Sequence, residues 1–166
     1  MRKQVIIAIM IMASAVAFVG CKKDKPTPQE DTYTLKYAIS NESRVTHPLS
    51  GEEIVTVLSP CFHFDIRYVD ANGNTVEEHN VTAPWEKTLS ITKPFHAKLE
   101  GTATFVESEL PDTLNFGKPY SIKISDNGAL LFDSSNSMTT LNKETFLEHF
   151  AGTDRMSFSG KLDFGE

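Results

Sequence analysis

The chain has 166 residues, with 22 acidic against 16 basic side chains and a formal charge of −6. That balance argues against a nucleic-acid partner, whose phosphates demand a basic face, and no run of five or six like charges marks an acidic interaction tail. The five histidines, His47, His63, His79, His96 and His149, stand in no H-x-x-x-H spacing and the two cysteines in no C-x-x-C spacing, so zinc is unsupported.

The N-terminus carries Arg2 and Lys3, an apolar stretch from Val5 to Val19, then Gly20 and Cys21. Charge, an apolar region and a small residue before a cleavage point form the signal-peptide pattern. The stretch is shorter than the roughly 20 residues a spanning helix needs, which disfavours a retained membrane anchor. Phe18-Val19-Gly20-Cys21 resembles the lipobox of signal-peptidase-II substrates. Gly20 and Cys21 match it, while Phe18 stands where Leu is usual and Val19 where Ala or Ser is usual. The resemblance implies that Cys21 becomes the first mature residue, acylated (palmitate-type) on thiol and amine. At about 0.8 kcal/mol per buried CH₂, several acyl chains together hold firmly. Cleavage there removes only Arg2 and Lys3 from the charged residues, leaving 14 basic against 22 acidic, a mature charge of −8.

Residues 21–31 are polar and include Pro26 and Pro28, so they read as an extended tether. Lipobox and tether together resemble lipoproteins of the Bacteroidetes, which implies a lipid-anchored place in the cell envelope, at the outer membrane. Asp24 is the only acidic residue among Lys22, Lys23 and Lys25, which leaves a periplasmic or a surface face open. With Cys21 lipidated, Cys61 has no partner for an internal disulfide, and the fold must stand on its core. Residues 32–166 are expected to form one domain.

Period-2 alternation dominates that domain. Tyr33, Leu35, Tyr37 and Ile39 mark a first strand. Asn41 to Glu53, with Pro48 and Gly51, reads as a loop, and Ile54 to Leu58 as a short strand stopped by Ser59-Pro60. Phe62, Phe64, Ile66 and Tyr68 alternate up to Asp70-Ala71-Asn72-Gly73-Asn74, a hairpin turn because Asn and Gly both tolerate φ > 0. The return strand spans about Thr75 to Thr82. Pro84-Trp85 opens a strand that Lys93-Pro94 breaks, and Phe95 to Phe105 is the longest clean alternation. Glu107 to Pro119 reads as a loop. Tyr120, Ile122 and Ile124 lead through Asp126-Asn127-Gly128 to a strand from Ala129 to Phe132, and Ser134 to Thr140 is polar.

Leu141, Phe146, Leu147 and Phe150 fall at helical spacing, with Thr140 or Asn142 as cap and Gly152 as stop. Met156, Phe158, Gly160, Leu162 and Phe164 mark a final strand. About nine strands and one short helix near the C-terminus predict an all-β antiparallel sandwich. A lipocalin-like barrel is the alternative, suggested by the strand, helix, strand ending.

Tyr68-Val69-Asp70-Ala71-Asn72-Gly73-Asn74-Thr75, followed by Pro84-Trp85-Glu86-Lys87-Thr88, is similar to the mycobacterial small membrane proteins of the MmpS family. The resemblance covers about a quarter of the chain and rests on a hairpin turn and a Pro-Trp strand start. It implies an immunoglobulin-like or transthyretin-like sandwich behind a membrane anchor, and an accessory role beside an exporter.

Few residues invite chemistry. Cys61, His63 and Asp65 are two apart and share one strand face. A nucleophilic Cys beside a His suggests a hydrolase, but no Gly-rich turn or helix start adjoins Cys61 to supply an oxyanion site. Asp70, Asn72 and Asn74 resemble the start of a calcium loop, yet the sixth and twelfth positions are Thr75 and Val81 instead of Gly and Glu. Trp85 is a core residue or a sugar-stacking platform. The longest loops, Asn41 to Glu53 and Glu107 to Pro119, are where a rigid scaffold would carry a binding surface. The expectation is therefore a non-catalytic envelope module, without cofactor or metal, that binds protein or glycan or supports an envelope complex. The alternative is a lipocalin-like carrier of an apolar small molecule.

Overall fold

Alternating side chains build almost all of the architecture. A computed structural model describes residues 31–149 and 155–165. Residues 1–30, and with them the expected signal peptide, Cys21 and nearly all of the expected tether, lie outside the described residues, as do Phe150 and Gly152. Two four-stranded antiparallel sheets face each other. The first contains β1 (Thr32–Ile39), β6 (Trp85–Thr92), β9 (Tyr120–Asp126) and β10 (Ala129–Asp133), in the order β10-β9-β1-β6. The second contains β4 (His63–Val69), β5 (Thr75–Val81), β7 (Phe95–Thr104) and β12 (Arg155–Phe164), in the order β12-β7-β4-β5. Two smaller pairs complete the strands. These are the ribbon of β2 (Glu42–Thr46) with β3 (Glu53–Val57), and β8 (Thr113–Lys118) with β11 (Ser137–Asn142).

The sandwich follows from which face each strand buries. Leu35, Tyr37 and Ile39 of β1 meet Phe64, Ile66 and Tyr68 of β4, with Leu99 and Ile122 between them, all 2% exposed or less. Tyr37 ties the layers directly: its hydroxyl donates to the Val69 carbonyl at 3.1 Å and accepts the Lys98 amide at 3.2 Å. Gly101 faces Phe158 across the β7–β12 pair, where a Cβ would lie 2.3 Å from the Asp65 carbonyl oxygen and 2.9 Å from the Phe158 ring. Only glycine fits there.

The lipocalin-like barrel does not form. The sheets remain separate, and β10, β6, β12 and β5 are left as edges. Buried side chains of both sheets form one core cluster between them.

One end of the sandwich is closed by rings. Phe62, Phe105, Phe116 and Phe146 pack at centroid distances between 4.4 and 6.1 Å. Phe146 comes from α1 (Lys143–His149), whose seven residues are too few to persist alone in water. Asn142 caps it, accepting the Thr145 amide at 2.7 Å, and the buried Phe146 fixes it to the sheets.

Three segments differ from the sequence reading. The expected loop Asn41 to Glu53 holds β2. The expected loop Glu107 to Pro119 holds a 3₁₀ turn (Glu107–Glu109) and β8, in which Leu114 and Phe116 are buried. The polar stretch Ser134 to Thr140 holds most of β11, which also takes Leu141 from the expected helix. These strands are short and one-sided, so Gly, Pro and wet polar residues hide their period. The two hairpin turns differ as well. Asn127 and Gly128 both take positive φ (46° and 85°), giving a two-residue turn of type I′. In the other turn only Gly73 does so (82°), and Asp70 closes the loop instead by accepting the amides of Asn72 and Asn74 at 2.9 and 2.8 Å.

Candidate functional site

His63 and Asp65 lie on β4, but Cys61 falls in the turn before the strand and packs against the core, so the three do not share one strand face and do not act on one another. Cys61 sits half-buried in the turn before β4. Burial pushes its thiol above its ordinary range, and the nearby Glu109 carboxylate adds to this, so the nucleophilic thiolate is disfavoured. The buried His63 Nδ1 has no hydrogen-bond partner among the described residues. Asp65 turns to the neighbouring strand, accepting the Asn80 amide at 2.9 Å and facing His79 Nδ1 at 3.4 Å. That amide, with His79 and Arg155, holds its carboxyl below the usual range. Asn80 has φ 54° at a bulge in β5, and the bulge is what brings its amide to Asp65. The result is a strand brace.

The other candidates are also occupied by structural partners. The Asp70 carboxylate is held below its ordinary range first by the Asn74 amide and then by Asn72. Among the described residues, no group of three His, Cys, Asp or Glu side chains could hold a metal ion. His47 accepts the Ser50 amide at 3.2 Å within a turn, and His96 contacts Asp163 at 2.7 Å. Trp85 is partly buried. Its indole N–H donates to Glu78 Oε2 at 2.8 Å, while the Tyr68 hydroxyl donates to Glu78 Oε1, so the ring is pinned against the core.

Two surfaces stand out among the described residues. An open hollow of about 610 Å³ crosses the outer face of the second sheet, lined by polar side chains such as Asp65, Arg67, His79 and Glu100 and by Ile66 and Phe158. Arg67 pairs with Glu77 at 2.9 Å and Glu100 with Lys98 at 2.8 Å, as cross-strand and same-strand neighbours on a wet sheet face do. Its one phenyl ring, Phe158, stacks on Tyr120 with centroids 5.0 Å apart.

The second surface is the β2–β3 ribbon. Val45, Leu49, Ile54, Val55 and Val57 are between 42% and 92% exposed. Val45 and Ile54 stand opposite each other on one face, with Leu49 at the tip. On the other face Arg44 bridges Glu42 and Glu53 at 2.8 and 2.9 Å. The base is fastened: Asn136 donates to the Glu42 carbonyl, Asn115 donates to that of Val57 at 2.8 Å, and Ser43 is buried. The bonds Leu58 N–H to Asn41 and His47 N–H to Glu52 set the ladder's phase. With that phase, the main-chain groups of Glu53 and Val55 point away from β2. Sequence reading placed a binding loop over 41–53, yet missed that the apolar residues of β3 are themselves exposed. The available signal was EIVTV, which places apolar side chains on both faces of a strand inside a small pair.

Among the described residues, no helix is long and apolar enough to cross a membrane. No protein-family model matches the chain, and no curated protein matches it.

Proposed function

We propose that the protein is a lipid-anchored, non-catalytic module of the bacterial cell envelope that binds a protein partner through the β2–β3 ribbon. The observation that carries this reading is the ribbon itself, whose five large apolar side chains stand in solvent on a base that is firmly tied. Val45 and Ile54 stand together on one face with Leu49 at the tip, and exposed apolar side chains grouped in this way mark an interaction site. The outward main-chain groups of Glu53 and Val55 favour a partner that offers an extended apolar segment and adds a strand beside β3. Glycan is the weaker fit, since the one phenyl ring lining the hollow, Phe158, is partly buried and already stacked on Tyr120. The anchor is carried by the Phe18 to Cys21 pattern.

Two tests separate the parts. Globomycin treatment, or Cys21→Ser, is expected to abolish processing and membrane retention; unchanged retention overturns the anchor. For the partner, the full chain carries a photoreactive benzoylphenylalanine in place of Leu49, Val55 or Ser159. The expected result is one and the same cross-linked protein from the Leu49 and Val55 positions, lost when Glu53→Pro blocks the β3 edge. Adducts from Ser159 alone, or adducts that Glu53→Pro leaves untouched, refute the ribbon as the site.

A further inference from the structure

The exposed leucines of β10 lie at the opposite end of the molecule from the ribbon. Leu130 is 59% and Leu131 is 51% exposed, on an edge strand. Their exposure has a specific cause. Leu130 pairs with Ser125 and Phe132 with Ile124, so Leu131 is an extra residue in a bulge. Phe132 packs against the core, whereas the bulge turns the residue before it outward beside Leu130. Without the extra residue the alternation would bury one of the two.

The register also fixes where they stand. Ser125 pairs with Thr34, the third residue of β1, and the Asn127-Gly128 turn lies beside the start of β1. Two strand spacings, about 10 Å, separate β10 from β1. Residue 31 therefore joins the domain at the corner that holds Leu130 and Leu131. Eleven residues, Cys21 to Asp31, connect that corner to the acylation site and reach at most ~40 Å when extended. Lys22, Lys23 and Lys25 lie next to the acylation site, where anionic headgroups attract them, with Asp24 among them and Glu30 and Asp31 at the domain end. Near the leucines, the Asp133 carboxylate is already paired with Lys123 at 3.2 Å.

We infer that the bulged edge of β10 rests in the bilayer interface, with Leu130 and Leu131 entering the lipid beside the acyl anchor. This rests on the anchor reading above and adds an orientation to it: the domain sits on the membrane by its tether corner and presents the ribbon away from it. A second copy paired along β10 is the rival occupant.

The test uses the acylated full chain with Cys61→Ser, reconstituted into phosphatidylethanolamine and phosphatidylglycerol vesicles. An environment-sensitive fluorophore is attached at Leu131→Cys or, separately, at Leu49→Cys. The expected result is a blue-shifted Leu131 label that brominated lipids quench at least twofold, and a Leu49 label that they leave unchanged. Protein that does not float with the vesicles overturns the anchor and this inference with it. Flotation with an unquenched Leu131 label overturns the inference alone. A blue shift without quenching, at concentrations where a dimer forms, assigns the edge to a second copy.

Discussion

The sandwich body and the β2–β3 ribbon use the same residue types for opposite ends. In β4, the apolar residues Phe64, Ile66 and Tyr68 occupy one face and are at most 2% exposed. In β3, Ile54, Val55 and Val57 occupy both faces and stand open to solvent. On the proposal that the ribbon is the binding surface, stability resides in the body and recognition in the ribbon, and the two should separate under mutation.

The largest effect is expected at the ring cluster. Phe146→Ala empties a site touched by Phe62, Phe105 and Phe116, and should cost roughly 3–5 kcal/mol in urea unfolding with an unchanged slope. An unaffected midpoint would mean that α1 is a passenger. Next comes Tyr37→Phe, which strips the hydroxyl from the Val69 carbonyl and the Lys98 amide and should cost about 1–3 kcal/mol. Burial pushes the Tyr37 phenol up to about 12 from its ordinary 10.0. A raised phenol favours the neutral form in the folded state. Its contribution is thus intact below pH 10 and lost as pH rises toward 12. Alkaline unfolding followed by near-ultraviolet circular dichroism should show this loss, and the Tyr37→Phe variant should lack it. Asn142→Ala removes the α1 cap and should cost about 1 kcal/mol. The smallest effect sharpens the contrast most. Ile54→Ser with Val55→Thr should change stability by no more than about 0.5 kcal/mol per site while abolishing the photo-cross-link. A large loss of stability there would make the ribbon a structural element.

The body was readable because one-sided burial writes itself as alternation. Strands β4, β7 and β12 show apolar residues at every second position, and the Phe95 to Phe105 pattern ends in the sheet within a residue of where it ends in the sequence. β8 and β11 escaped because they pair only with each other, and β11 offers just Met138 and Leu141 to the core. The candidate surfaces were harder to see. Exposure belongs to what is missing from the other side of a strand, and EIVTV looks the same whether covered or bare. The bulge at Leu131 depends on register with β9, a relation between distant segments that no local pattern contains.

β1 has a further role by its position. It receives the chain at Thr32 and hands it to the ribbon at Glu42, and it lies between two neighbours, matched over eight residues with β6 and six with β9. Tension between a fatty anchor and a grasped partner would run along this single strand. Pulled at both of its own ends, the already extended strand would carry the load in its covalent backbone, and its ladders to β6 and β9 need not rupture for the pull to pass. On the proposed anchor and partner, the pull would pass the rest of the sandwich by.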